Sequence, residues 1–377
     1  MIYFDNAATS YPKPDNVPQS VLKANLFYGG NPGRSGHKLS LLTSEKIFSV
    51  REQIAKLFNA SPENVVFTNN CTHALNTVIH GLCENNKTIV TSNLEHNSVS
   101  RPIYNITRRE NVKWLQVDVH NKSDEEIVLE FEKKIDANCC LVVCVHASNV
   151  TGQILPVEKI YNVCRKMGVA FVIDAAQTAG VVPIDIKKHA NIICAAGHKG
   201  LYGPMGTGIL ILNDIMPRSL TQGGTGSSSI LLEPPLLSPD SYEAGTVNTP
   251  GIIGLGAGIK FIDCIGIDKI RRHELKLCKL ALSELKNADV FIYNSDYSNS
   301  APILLFNFKN ISSSKGSKIL SDEGFALRGG VHCAPLAHEN IGTLPKGAIR
   351  FSPSIFNNEK QTLEFCRTVK KIASKKN

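Results

Sequence analysis

The sequence predicts an α/β protein: one large, doubly wound, mostly parallel sheet, followed by a smaller α+β unit. Three observations carry this prediction. Short apolar, β-branched runs alternate with segments of helical periodicity as far as Leu212, the rhythm of parallel strands joined by crossover helices. After Gly245 that rhythm stops and a long helical stretch begins. The 377 residues are too many for one small domain but suit a large unit with a smaller neighbour.

The elements follow in order. Val65-Val66-Phe67 is a strand ahead of a helix from Thr72 to about Cys83. Thr88 to Thr91 is the next strand, with a helix after Asn97. Lys113 to Val117, Leu141 to Val145 and Val169 to Ile173 are further strands, and a helix from Pro156 to Met167 separates the last two. Ile192 to Ala195 and Gly208 to Leu212 complete the series. One long helix is expected from Pro250 to Leu285, then strands near Ile303 to Phe306 and Ala348 to Phe351, and a closing helix from Asn357. The expected division is a large domain over 14–254 and a small domain made of 1–13 and 255–377. A sheet of this kind places ligands at the carboxyl ends of its strands.

Composition excludes several classes of protein. The hydrophobic fraction is 42% and the charged fraction 20%, far from the signature of disorder. The net charge of +8 is spread along the chain. Its one cluster, Lys370, Lys371, Lys375 and Lys376, reads as a solvated helix end rather than a nucleic-acid footprint. No apolar run is long enough to span a bilayer. The N-terminal segment lacks the features of a secretory signal, so a cytoplasmic location is expected and the eleven cysteines are expected to be reduced. No CxxC pair occurs, and a metal at His332, Cys333 and His338 lacks a fourth ligand pattern, so no metal is expected. Gly254-Leu255-Gly256-Ala257-Gly258 has the wrong spacing for a dinucleotide fingerprint.

Four polar islands follow strands. In Asn69-Asn70-Cys71-Thr72-His73, Thr72 either caps a helix or, with the free N–H groups of the helix start, cradles a phosphate. In Leu94-Glu95-His96-Asn97 the histidine either caps the next helix or stacks on a planar ring. Asp174, in Ile173-Asp174-Ala175-Ala176-Gln177, ends an apolar strand and needs a positive partner. A protonated pyridine nitrogen, an internal cation or a helix N-terminus would each serve. Lys199, in Gly197-His198-Lys199-Gly200, is either a surface lysine in a glycine-rich loop or an amine able to form a Schiff base with an aldehyde cofactor.

Taken together in this order, the islands resemble the class V aminotransferase group of fold-type I pyridoxal-phosphate (PLP) enzymes. Within that group they look most like the cysteine desulfurases of the SufS/NifS kind. The match runs from Asp5-Asn6-Ala7-Ala8-Thr9 to Arg350. It rests on the joint spacing of Asp-x-x-Gln, Gly-His-Lys, Glu243-Ala244-Gly245-Thr246 and Arg-x-Gly-x-His-Cys. The resemblance implies PLP as cofactor, with Lys199 as Schiff-base lysine, Asp174 on the pyridine nitrogen and His96 stacked on the ring. It implies Gln177 and Asn149 near the ring hydroxyl, and Cys71, Thr72 and His198 at the phosphate. Thr246 would reach the phosphate of a neighbouring subunit, which implies a homodimer. Arg350 would pair with the substrate carboxylate, and His37, Asn6 and Arg328 would lie near the substrate. The chain departs from the family pattern at Cys71 and Ala196, where the family has a hydroxyl residue and a serine. Each lost hydrogen bond costs on the order of 1–3 kcal/mol unless replaced.

The segment Arg328-Gly329-Gly330-Val331-His332-Cys333-Ala334-Pro335 separates a desulfurase from a transaminase. Arg328 and His332 are expected to favour the Cys333 thiolate, the nucleophilic form. The implied reaction takes sulfur from L-cysteine, leaving L-alanine and a persulfide on Cys333 for a sulfur-acceptor or iron–sulfur scaffold protein. Catalysis would rest on Cys333, Lys199 and His96. Selenocysteine lyase, with L-selenocysteine as substrate, or another class V activity is the alternative, in which Cys333 is dispensable. A catalytically silent PLP-fold regulator is a third reading, opposed by the joint presence of Lys199, Asp174, Arg350 and Cys333.

Overall fold

A computed structural model describes residues 1–33, 36–226 and 230–374 of the chain. Lys375 and Lys376 of the basic cluster lie outside the described residues. The chain opens with β1 (Ile2–Tyr3), α1 (Asn16–Phe27) and α2 (Lys38–Phe58). Strands and helices then alternate through β2 (Val65–Thr68), α3 (Cys71–Leu82), β3 (Thr88–Ser92), α4 (Asn97–Arg109) and β4 (Lys113–Val117). The alternation continues with α5 (Asp124–Lys134), β5 (Cys139–Val145), α6 (Val157–Met167), β6 (Ala170–Asp174), α7 (Ile186–His189), β7 (Ile192–Ala196) and β8 (Gly208–Leu212).

Seven of these strands form one sheet in the order β2-β8-β7-β6-β5-β3-β4. All its pairings are parallel except those of β8, which runs antiparallel to both β7 and β2. Strands such as β6 (AFVID) and β8 (GILIL) are buried along their whole length, as expected when helices cover both faces. One face is packed by Ile47, Ile54 and Phe58 of α2 with Phe131 of α5 and Ile160 of α6. The other is packed by Leu75, Val78 and Ile79 of α3 with Val99 and Ile103 of α4. The doubly wound expectation is met.

The second half contains α8 (Thr249–Ile265), α9 (Ile267–Leu285), β9 (Val290–Ile292), β10 (Leu304–Phe308), α10 (Ser313–Asp322), β11 (Phe325–Ala326) and β12 (Arg328–Gly330). It closes with α11 (Pro335–Asn340), β13 (Ala348–Phe351) and α12 (Glu359–Ala373). The single long helix expected over 250–285 is in fact two, bent by 82° at Gly266, whose φ of 92° ends the first helix. Residue 254 lies inside α8, and Ile252, Leu255, Ile259 and Ile262 on either side of it all join the larger core. The glycines of α8 serve close packing rather than a nucleotide. A Cβ on Gly258 would come within 2.3 Å of the Leu201 carbonyl oxygen, and one on Gly256 within 2.6 Å of Val50 Cγ2.

The smaller unit has its own core, in which Phe4, Phe306, Phe351 and Phe365 pack with Cys278 and Leu285. Its antiparallel sheet runs β12-β13-β10-β9. In it, Arg328 and Arg350 sit opposite one another. β1 pairs parallel with β11, so the N-terminus belongs structurally with the C-terminal unit.

Candidate active site

The carboxyl ends of β3, β5, β6 and β7 converge on an open cavity of about 810 Å³. Its lining includes Cys71, Thr72, His96, Asn149, Asp174, Gln177, His198, Lys199, Arg328 and Arg350. Ten of the residues singled out in the sequence, from Cys71 to Arg350, thus face one space.

Asp174 is the last residue of β6 and is 2% exposed. Its carboxylate accepts from the Ala176 N–H at 2.9 Å and from the Cys71 thiol at 3.5 Å, and neither is a cation. A buried carboxylate with only neutral partners has the chemistry to take a protonated nitrogen entering from the cavity. Cys71 therefore stands against Asp174 and not only at the helix start, and burial, then Asp174, raises its thiol well above the ordinary range. Lys199 follows β7 and is partly buried. Burial lowers its amine from the ordinary lysine range against the opposing pull of Asp174. A lysine so depressed supplies more of the free amine that both condensation with an aldehyde and proton abstraction require.

His96 is the N-cap of α4, with Nδ1 accepting from Ser98 N–H at 3.1 Å. Burial lowers it to about 4, partly offset by Asp174, so its ring is neutral. The cap and the cavity position coexist, and the two alternatives in the sequence do not exclude each other. The same holds at α3, where Asn70 Oδ1 caps the helix on His73 N–H at 2.8 Å. Thr72, exposed at the cavity edge, is left free of that duty. The His198 ring is hydrogen-bonded to Thr9 Oγ1 at 3.1 Å. The Gln177 amide donates to the Ala7 carbonyl at 3.0 Å.

Arg350, on β13, is 1% exposed. Its Nη2 donates to Asp5 Oδ1 at 2.8 Å and its Nη1 to the Asn149 carbonyl at 2.9 Å, while Nε has no partner. An unpaired, buried guanidinium edge at a cavity wall suits a carboxylate. Asp5 compensates the buried guanidinium charge, a role not expected from the sequence. Glu95 was missed as well. It is fully buried, with Oε1 accepting from Ser92 Oγ at 2.5 Å and from Val145 N–H at 3.0 Å, and burial raises its carboxyl to about 8. Its only sequence signal is a carboxylate beside His96 at the end of an apolar strand.

Cys333 is exposed, and it lines a second, more open groove with Thr72, His96, Ser98 and Arg101. Arg328 Nη2 lies 3.4 Å from its Sγ. His332 and Cys333 both have left-handed backbones, with φ of 53° and 56°. For non-glycine residues this costs on the order of 1–3 kcal/mol each, a strain that surrounding structure must hold. The expected help from His332 in forming the thiolate is corrected here. His332 is 2% exposed, burial and Arg350 lower it to about 2, and its ring bonds to the Arg328 carbonyl and to His338. A neutral ring so engaged supplies no positive charge to the thiol; of the two expected residues, Arg328 is the one placed to do so.

Three expected site residues lie outside the main cavity. Asn6 uses its amide on the Ser352 carbonyl and the Tyr11 N–H, and it faces an adjacent cavity shared with Gln177 and Lys199. His37 is exposed as the N-cap of α2. Thr246 is exposed in a separate pocket with Thr68, His73 and Tyr242. Among the described residues, no group of three His, Cys, Asp or Glu side chains is placed to hold a metal ion.

Comparison with known proteins decides the family. The aminotransferase class-V model matches residues 2–365. The chain belongs to that family. It is 32% identical to the "Probable cysteine desulfurase" of Pyrococcus abyssi, over 99% of this chain and 94% of the relative. It is 30% identical to the "Cysteine desulfurase" of Wigglesworthia glossinidia brevipalpis, over 89% and 84%. Among solved structures, the apo cysteine desulfurase of Thermococcus onnurineus superposes with a TM-score of 0.89 at 32% identity, covering 99% of this chain and 94% of that one. Class V membership makes this chain a PLP-dependent enzyme of fold type I.

Proposed function

We propose that this chain is a PLP-dependent cysteine desulfurase that converts L-cysteine to L-alanine and carries the sulfur as a persulfide on Cys333. The observation that carries the reading is the placement of Cys333, paired with Arg328, at the rim of the space that holds Lys199, Asp174 and Arg350. The names of the relatives support the same reaction.

The residues present fit the cofactor. Asp174 would hold the pyridine nitrogen, Lys199 the aldehyde carbon, and Thr72, His198 and the N-terminus of α3 the phosphate. The alanine at 196 and the Cys71 thiol turned to Asp174 leave the backbone N–H groups of α3 with more of that task. When bound, PLP supplies an electron sink for the substrate Cα.

The chain's own groups do the rest. The free edge of Arg350 binds the substrate carboxylate. The Lys199 amine takes the Cα proton, and its lowered basicity lets it release that proton again. The Cys333 thiolate, held beside the Arg328 guanidinium, attacks the substrate sulfur. The S–S bond forms as the C–S bond breaks, its electron pair stays with the carbon fragment, and that fragment gains a proton and leaves as alanine. The exposed persulfide then passes its outer sulfur to an acceptor, for which a sulfur-carrier or iron–sulfur scaffold protein has suitable chemistry.

The reading includes a homodimer. Thr246 and His37 lie away from the cavity of their own chain, and Ile230, Leu232, Leu236 and Leu237 are each at least 78% exposed, an apolar surface that suits burial against a second copy. The test of the function is alanine formation from cysteine by wild type and Cys333→Ala, with mass detection of one added sulfur on Cys333. Full alanine formation by the variant would refute the persulfide step.

A further inference from the structure

Three polar side chains beneath Cys333 form a chain of hydrogen bonds that the reaction above does not use. Thr343 Oγ1 lies 2.7 Å from His338 Nδ1, His338 Nε2 lies 3.1 Å from His332 Nδ1, and His332 Nε2 lies 3.1 Å from the Arg328 carbonyl. The two imidazoles lie edge to edge and nearly coplanar, with centroids 5.3 Å apart and planes at 14°, as an in-line bond between ring nitrogens requires. His338 is fully buried and reaches no cavity that holds the proposed chemistry.

The far end of this chain fixes its direction. A carbonyl only accepts, so His332 Nε2 carries a proton and donates to Arg328. A neutral His332 then has a lone pair at Nδ1, which must receive the Nε2 proton of His338. His338 Nδ1 is in turn an acceptor for the Thr343 hydroxyl at 2.7 Å, closer than the 3.2 Å from that hydroxyl to the His338 carbonyl, which the Thr343 N–H already fills at 2.8 Å. The reverse assignment sets a lone pair of His332 against the Arg328 carbonyl or requires a buried cation. Burial keeps both rings neutral, His332 at about 2 and His338 at about 4. One tautomer pair therefore satisfies every group.

The chain grips the nucleophile loop at both ends. Through the Arg328 carbonyl it holds the residue whose guanidinium meets Cys333 Sγ, and through the ring of His332 it holds the residue next to Cys333. Asn149 donates to the His332 carbonyl at 2.8 Å and Asn97 N–H to the Cys333 carbonyl at 2.7 Å, so the backbone of the two left-handed residues is pinned as well. We infer that Thr343, His338 and His332 form a directional positioning relay that holds Cys333 against Arg328 for sulfur attack, with His338 as its central positioning residue. This inference rests on the reading of Cys333 as nucleophile.

The relay separates two variants of the same position. His338→Phe keeps the ring but cannot donate to His332, whereas His338→Gln places an amide N–H where Nε2–H was. In the holoenzyme, His338→Phe should lower the rate of persulfide formation by roughly tenfold to a hundredfold, the cost of a misplacement on the ångström scale, with KM for cysteine little changed. His338→Gln should recover most of that loss, and Thr343→Val should show a smaller one. Without reference to turnover, iodoacetamide should alkylate Cys333 at a clearly different rate in His338→Phe, and nitrogen NMR should show both rings as the Nε2–H tautomer. Equal kinetics for Phe and Gln at 338, an unchanged alkylation rate in His338→Phe and Thr343→Val, or an Nδ1–H tautomer at either ring would overturn the relay. Cys333→Ala separates the two failures: if it retains full alanine formation the nucleophile reading falls, and if it is inactive while His338→Phe matches wild type only the relay falls.

Discussion

The two halves of the site are built on opposite plans. The Asp174–Lys199 half stands on the ends of central, fully buried strands, and its groups are set by a sheet whose core extends on both faces. The Cys333 half stands on a short link between β12 and α11, with two residues in the left-handed region and the nucleophile exposed. Function explains the difference. Cofactor chemistry needs groups held within fractions of an ångström, while a sulfur carrier must present its load to another molecule. The rigid half gains precision from packing, and the loop gains it from a few directed hydrogen bonds.

The largest expected effect lies in the rigid half. Lys199→Ala should reduce alanine formation by about 10²–10⁴-fold, the usual worth of a positioned acid–base, and more if covalent attachment also fails. Asp174→Asn should follow closely. It keeps the shape and the Ala176 contact but removes the charge, and a loss of about 10²–10³-fold is expected in kcat. Both are read in steady-state assays with added PLP. An active Asp174→Asn would show that the buried carboxylate has another duty. Cys333→Ala tests the other half, with alanine and persulfide formation lost and cofactor colour retained.

Arg350 joins the halves, since it lies on β13 opposite Arg328 but is tied to Asp5 and Asn149. Arg350→Lys removes the planar fork. It should raise KM for cysteine by roughly tenfold to a hundredfold, consistent with about 1.5–3 kcal/mol for charged hydrogen bonds. Stability should fall too, because one ammonium cannot reproduce both the Asp5 and the Asn149 bonds of the buried guanidinium. A KM equal to wild type would move the carboxylate site elsewhere.

The same contrast governs what was legible in the sequence. β4, β8 and β13 are read to the residue because apolar, β-branched runs between turns leave few alternatives. The helix break at Gly266 was missed because an isolated glycine in a periodic run is ambiguous until its φ is known. α5 was not placed, although Ser123 and Glu126 form a capping box that could have announced it. In the rigid half, strand ends put Asp174, His96 and Lys199 together by topology alone. In the loop half, the pairing of Arg350 with Asp5 across 345 positions, the neutral burial of His332 and its bond to His338 depend on tertiary placement. No local pattern encodes those contacts.

Buried titratable groups allow a last and smaller test of both halves at once. Burial lowers His96, His198 and His338 to about 4, His146 to about 3 and His332 to about 2, all from 6.5. Such groups bind protons more readily when unfolded. Their stabilisation is present above pH 6.5 and is lost as the pH falls toward 4. Glu95 and Glu274 have the opposite sign. Burial raises each from 4.5 to about 8, so their folded state binds the extra proton and their contribution declines as the pH rises from 4.5 to 8. Below 6.5 five histidines outweigh two glutamates, and between 6.5 and 8 the glutamates act without them. Stability should therefore peak near pH 6.5 and fall on both sides, more steeply in acid, each group adding up to about 1.4 kcal/mol per pH unit. Denaturant midpoints from pH 4.5 to 8 check this. Glu95→Gln should flatten the alkaline side and His338→Gln the acid side, and a peak that stays sharp in both variants would mean that neither half of the site carries the dependence.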